Sequence, residues 1–325
     1  MSPKIALLFL TIDNPHFPHI WDEWLRGHED QYDIYIHPKN PEQVTWRREC
    51  MLPSQHLVQT KWGQIVYAYG ALFRAAIATA DRYRDPYKQY ILISESCLPV
   101  QSFNSLYRFV CSNLSYYHYI DKPSKWDCEH RLQHVPVSSH GRTAANRITA
   151  IQSQIVKHDA RFSLCHEDAV QFVYMCRPNY SAFVHELFHA PVSDEFCLSA
   201  FNLNNFVNYE VTHDCWHHTT DAVNNYNNRI SQIYDRYGKT AIDESGKAEM
   251  NELRALRDDI KKSPIAIDDL HALSENGISD LDLIIGLQQN RNAPFFCRKF
   301  AKTSNVSEFW HDIIGRPSTQ RYQKK

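Results

Sequence analysis

Two apolar runs without in–out alternation constrain this chain more than any other feature. Lys4 to Ile12 reads KIALLFLTI, and Tyr90 to Ile93 reads YILI. A strand that is apolar on both faces has to be covered on both faces, as in a parallel sheet flanked by helices. The second run opens the stretch YILISESCLPV, Tyr90 to Val100, which turns abruptly polar at Ser94-Glu95-Ser96. Pro99 is expected to stop the ladder there. Ligands of open α/β sheets sit beyond the carboxyl ends of the strands, so this polar strand end is a candidate site. An ordinary core strand entering a loop gives the same pattern.

The intervening chain supports that architecture. His19 to Leu25 places Ile20, Trp21, Trp24 and Leu25 at helical spacing, and Asp33 to His37 reads as a second strand stopped by Pro38. Strand, helix, strand predicts a right-handed crossover and a parallel pair. A short strand is predicted at His56 to Gln59. Gln64 to Tyr83 is an alanine-rich helix feeding the strand at 90–94, Ser102 is a good N-cap for a helix Phe103 to Val110, and Tyr116 to Ile120 reads as strand. Further on, a helix is expected over Arg142–Val156, a strand over Ala169–Cys176, and helices from Pro178 to His189 and Phe196 to Leu203. Strands at Tyr209–Cys215 and Pro294–Phe300 follow, with helices near Ile267–Leu273 and Leu281–Gln289. Residues 221–263, asparagine-rich and then charged, read as an inserted, solvated helical pair.

Composition excludes several functions. The net charge of -2 argues against a nucleic-acid binder held by phosphate neutralisation. No run reaches the roughly 18 apolar residues of a membrane span. With nine cysteines, an odd number without a C-x-x-C pair, neither a disulfide framework nor a thiolate zinc site is indicated. No G-x-G-x-x-G or P-loop pattern occurs. A soluble, cytoplasmic protein with free thiols and no anchor is the expectation.

Glu195, in Ser193-Asp194-Glu195 at a predicted helix start, is explained either by the helix dipole or as a general base held at a cleft. Arg298 and Lys299 interrupt the apolar FFCRKF; they either face solvent at a sheet edge or supply fixed positive charge for a diphosphate. His213 and His217 have the spacing of the H-E-x-x-H zinc motif, but the preceding residues lean to strand and the motif needs a helix. Asp280-Leu281-Asp282 resembles a D-x-D but sits in a helical pattern, better read as a solvated helix start.

The order of these segments resembles the core-2/I-branching N-acetylglucosaminyltransferases and their xylosyltransferase and plant relatives, glycosyltransferase family 14. The resemblance is carried by KIALLFLTIDNPHFPHIWDEWL and YDIYIHPK, Trp62 to Ala68, YILISESCLPVQSF, Ala169 to Glu186, Ser193-Asp194-Glu195, Val211 to Trp216 and FFCRKF. It implies an α/β GT-A fold with a Rossmann-like, mostly parallel sheet flanked by helices. Residues 1–120 would be its nucleotide-sugar-binding half. Residues 121–325 would be the acceptor-binding and catalytic half of the same domain, with the insertion at about 221–263. It further implies inverting, metal-independent transfer from a UDP-sugar, with UDP-N-acetylglucosamine favoured, to a hydroxyl of a glycan or glycoprotein. Glu195 would be the base. Lys299 and Arg298 would hold the diphosphate. Thr11, Asp13, His37, Ser94, Glu95 and Ser96 would form the donor cleft, and Trp216, His218 and Asp194 would face the acceptor. No cofactor and no metal are expected. Two departures stand out: Asn276 to Ser279 carries no arginine where the animal enzymes have one, leaving Arg298 or Arg291 to substitute, and Glu167-Asp168 replaces a glycine-serine. They keep open a catalytically inactive sugar- or nucleotide-binding module; a zinc hydrolase at His213 and His217 is the other alternative.

Overall fold

The computed structural model describes residues 3–61, 63–83, 86–110, 113–138, 143–201, 206–214 and 294–298, together with 251, 310 and 314. In chain order the elements are β1 (Ile5–Thr11), α1 (Pro18–Leu25), β2 (Tyr32–Pro38), α2 (Val66–Tyr83), β3 (Gln89–Ser94), β4 (Cys97–Pro99), α3 (Phe103–Val110), β5 (Ser115–Tyr117) and β6 (Tyr119–Asp121). Then come α4 (Ala144–Gln154), β7 (Lys157–His158), β8 (Ser163–Leu164), α5 (His166–Met175), α6 (Ala182–His189), β9 (Phe206–Asn208), β10 (Thr212–Asp214) and β11 (Phe296–Arg298).

The central sheet has the order β2-β1-β3-β8-β5-β9. β1 pairs in parallel with both β2 and β3, β8 runs against β3 and β5, and β9 is parallel to β5. Five strands therefore share one direction and only β8 opposes them, the mixed α/β arrangement expected of a GT-A-like fold. β8 and β9 come from beyond residue 120 and complete the sheet begun by the first half.

Both faces of the sheet are covered, as the unbroken apolar runs require. Ile5, Leu7 and Phe9 of β1 join Ile91 and Ile93 of β3 in a core with Trp21, Trp24, Phe103 and Phe296. The alternate residues Ala6, Leu8, Leu10, Tyr90 and Leu92 enter a second core with Leu72, Phe73, Phe172 and Phe188. α2 and α5 approach so closely there that a Cβ on Gly70 would lie 2.7 Å from Cys176 Sγ. The Ser102 cap is made: its Oγ accepts the Ser105 N–H at 3.3 Å. Among the described residues no helix is long and apolar enough to cross a membrane, and the seven cysteines described are free.

Several local expectations are corrected. Ala169–Cys176 is not a strand but lies in and just after α5. Ala169, Phe172 and Met175 recur every three residues and are buried, and Glu167 and Asp168 occupy the first turn, where the helix dipole favours acids. In place of the helix expected over Phe196–Leu203, the described residues form only a short 3-10 turn, Cys197–Ala200, preceded by another at Ser193–Glu195; residues 202 and 203 lie outside the described residues. α6 starts at Ala182 rather than Pro178, because Ser181 caps it by accepting the Val184 N–H at 3.0 Å. His56–Gln59 forms no strand; the Val58 N–H goes to His37 Nε2 at 2.9 Å instead of into a ladder. The Tyr116–Ile120 strand breaks at His118 into β5 and β6. Pro99 does not end the pairing, since β4 runs through it opposite Phe296 of β11. β4 is an edge strand, where a missing N–H costs nothing. The insertion (but for residue 251), the helices expected near 267–273 and 281–289, and Asp280–Asp282 lie outside the described residues.

Candidate active site

The parallel strands end level with one another. Leu10 of β1 stands opposite both His37 of β2 and Ser94 of β3. Backbone bonds knit the loops beyond these ends together: Lys39 N–H donates to Thr11 O at 2.9 Å, Asn40 N–H to Ile12 O at 2.8 Å, and His16 N–H to Glu95 O at 2.8 Å. The Thr11 hydroxyl donates to Asp13 O at 2.9 Å. All six residues assigned to the donor cleft thus lie along one carboxyl edge of the sheet. His37 is buried, and desolvation lowers its pKa to about 4. Its Nε2 accepts from Val58, so Nδ1 carries the proton, and that buried Nδ1 has no hydrogen-bond partner among the described residues. Ser94 Oγ lies 3.1 Å from Cys97 Sγ and 3.4 Å from Ser96 Oγ, holding the turn that leads into β4.

Asp194 and Glu195 are presented by a strained backbone. Val192, just before their 3-10 turn, has φ 58° and ψ 41°, a left-handed conformation that a β-branched residue adopts at a cost. Gly63 buttresses it from the loop before α2. Ser193 N–H donates to Gly63 O at 3.1 Å, and a Cβ on Gly63 would sit 2.8 Å from Val192 N. Asp194 is buried; desolvation raises its pKa against the pull of Arg161, Arg298 and Arg131, and its Oδ1 has no hydrogen-bond partner among the described residues. The Glu195 side chain is 29% exposed, so its carboxylate remains reachable from solvent.

Two cations flank Glu195. Arg131 donates from Nη1 to Glu195 Oε2 at 3.0 Å, and Lys157 Nζ lies 3.8 Å from the same oxygen. The same pair also meets Asp127, through Arg131 Nε at 3.3 Å and Lys157 Nζ at 3.6 Å. Burial raises the Glu195 pKa, while Lys157 and Arg131 oppose that rise. Asp127–Arg131 is a single π-helical turn, closed by Leu132 N–H to Asp127 O at 2.9 Å. It sets Arg131 over the exposed Trp126 ring, 4.8 Å from its centroid. Such turns cluster at functional sites. Arg131, Lys157 and Asp127 escaped the sequence reading because 64 and 38 positions separate the two cations from Glu195, and no spacing rule spans such gaps.

Arg298 is placed by β11, opposite Cys97 and so directly beside the Ser94–Ser96 turn. Arg298 and the buried Arg161 act electrostatically on both the Asp194 carboxyl and the Cys97 thiol. Those two guanidiniums link the strand end at Cys97 electrostatically to Asp194. Arg161, which also bonds the Tyr69 hydroxyl, carried no sequence signal. Lys299, Trp216, His217 and His218 lie outside the described residues. The His213 backbone is in β10, paired in parallel with β11, a strand rather than the helix a zinc motif needs.

A partly exposed carboxylate with cations beside it, and polar residues at the ends of parallel strands, are features that transfer of a group away from an anionic leaving group can use. Comparison with known proteins agrees. Over 119 residues the chain is 24% identical to a protein named Glycosyltransferase BC10 of Oryza sativa subsp. japonica. That match covers 34% of this chain and 29% of the rice protein, so the chain spans less than a third of that relative's length. A family model described as "Core-2/I-Branching enzyme" matches residues 5–220, which hold β1 to β3, the π turn, Glu195 and β10. The chain belongs to the Core-2/I-Branching enzyme family.

Proposed function

We propose that the protein transfers a sugar, N-acetylglucosamine being the favoured one, from a UDP-sugar to a hydroxyl of a glycan or glycoprotein, with inversion and without a metal ion. In a single displacement the acceptor oxygen attacks the anomeric carbon as the bond to UDP breaks, and the attack from the opposite side inverts that centre. The hydroxyl proton passes to the Glu195 carboxylate. The electron pair of the broken bond leaves with UDP, whose charge Arg298 and Lys299 balance in place of a divalent cation. His37, Thr11, Asp13 and the Ser94–Ser96 turn hold the nucleotide, and Asp194, Trp216 and His218 face the acceptor.

The observation that carries this reading is Arg298, fixed beside Ser94–Ser96 while it also acts on the carboxyl next to Glu195. Burial raises the Glu195 pKa, and Arg131 and Lys157, both against its Oε2, oppose that rise and favour the ionised carboxylate that a base needs.

Calorimetric titration of UDP and UDP-sugars with EDTA present throughout tests the donor side. Binding in EDTA is expected. Binding that needs Mn²⁺ would overturn metal independence, and no binding under either condition would overturn the donor assignment. UDP binding with neither transfer to any acceptor nor hydrolysis of the donor would leave an inactive binding module as the better account.

A further inference from the structure

His118, Asp159 and Glu210 are far apart in sequence, yet their ligand-type atoms all lie within 4.8 Å of one another. Each stands at a strand end. His118 occupies the break between β5 and β6, Asp159 follows β7, and Glu210 comes two residues after β9. Backbone bonds fix their relative positions: Tyr209 N–H donates to Tyr117 O at 3.1 Å, and Asp159 N–H donates to His118 O at 3.1 Å. Asn208 Oδ1 accepts the Tyr119 N–H at 3.0 Å. The three side chains therefore converge where the β5–β9 pair of the central sheet meets the separate β6–β7 pair.

We propose that His118, Asp159 and Glu210 form a binding site for one divalent transition-metal ion. One imidazole and two carboxylates offer a borderline nitrogen and hard oxygens with a formal charge of two minus, a set suited to Mn²⁺ or Zn²⁺ rather than to a thiophilic ion. His118 Nδ1 lies 2.9 Å from Asp159 Oδ2. Adjacent ligands of an octahedral ion with bonds of about 2.1 Å are about 3.0 Å apart, so this pair already has that spacing. All three residues are half-buried, which leaves room for water ligands and a route in. The site lies on the carboxyl edge of the sheet, where ligands bind, because β5 and β9 run in the same direction as β3. With β8 between them, β5 is about 10 Å from β3. The site is therefore separate from the Ser94–Ser96 turn and compatible with a diphosphate held by cations alone. Its effect on the reaction is one of positioning. Asp159 follows Lys157 by two residues, so an ion there ties the end of β7 down and steadies the ammonium facing Glu195.

The inference does not rest on the glycosyl-transfer reading, and its test needs no substrate. The 325-residue chain, stripped with EDTA and dialysed, is titrated separately with MnCl₂ and ZnCl₂ by calorimetry, and its thermal unfolding is followed with and without each ion. One ion per chain is expected for at least one metal. At a hundredfold excess over Kd, the unfolding midpoint should rise by about 4 °C. H118A and E210Q should each weaken binding at least tenfold. E210Q is nearly isosteric and carries the test if H118A does not fold, with metal-free circular dichroism as the check. No binding up to millimolar metal would overturn the proposal. Binding that survives both variants but is lost in H213A would place the ion elsewhere and overturn it equally.

Discussion

Replacing Gly63 with alanine tests whether the strained Val192 turn is what presents Glu195. Gly63 has φ +70°, and the added Cβ would lie 2.8 Å from Val192 N and 3.1 Å from Val192 Cα, both backbone atoms that cannot rotate away. The left-handed conformation costs an alanine about 1–2 kcal/mol, and pushing packed backbone aside adds about 1–3 kcal/mol. The loss of unfolded-state freedom returns about 0.4–1 kcal/mol. The net destabilisation is about 2–4 kcal/mol, which urea unfolding resolves and which lowers the thermal midpoint by about 3–6 °C. The functional effect should exceed the global one. Ser193 N–H donates to Gly63 O, so the displaced backbone carries Asp194 and Glu195 with it; a shift of about 1 Å at a reacting group costs about a hundredfold in rate. UDP binding, which the proposed function places at the ends of β1–β3, should stay nearly unchanged when measured well below both midpoints. A G63A variant within about 0.5 kcal/mol of the parent, or one that loses UDP binding and turnover together, would refute the reasoning.

Glu195→Gln keeps the shape but cannot take a proton, so transfer should fall by at least about a hundredfold while UDP affinity holds; equal turnover would end the base assignment. Arg131→Met removes a cation that opposes the burial-driven rise of the Glu195 pKa. The catalytic form is the ionised one, lost as pH falls, so the acid limb of kcat/KM should move to higher pH, and an unmoved limb would remove Arg131 from the site. His37 and His158 each accept a backbone N–H on Nε2, from Val58 at 2.9 Å and Leu198 at 3.1 Å, and burial lowers both pKa values to about 4. Their contribution to stability is therefore full above the ordinary histidine range and is lost as pH falls through about 4; imidazole NMR should show both neutral at pH 5, and titration of either near 6.5 would contradict the geometry.

What could be read from the sequence followed from local rules. KIALLFLTI and YILIS announce strands buried on both faces because alternate side chains point to opposite sides of a sheet, and neither set is polar. The spacing of Ile20, Trp21, Trp24 and Leu25 marks α1, and the polar break at Ser94–Ser96 marks the strand end beside Arg298. Glu195 was recognisable through family resemblance, and its surroundings were not. α5 misread as strand because a short apolar run such as AVQFVYM satisfies either period until its buried face is known.

The sequence by itself determined a doubly covered, mostly parallel sheet, the polar strand ends along one of its edges and the family to which it belongs, because burial pattern and segment order are written along the chain. Only the tertiary structure decided what surrounds Glu195: the Arg131–Lys157–Asp127 group, Arg161 against Asp194, the Gly63–Val192 contact and the meeting of His118, Asp159 and Glu210. Coulomb and steric energies depend on separation in space, and in a sheet with crossovers that separation bears no fixed relation to distance along the chain.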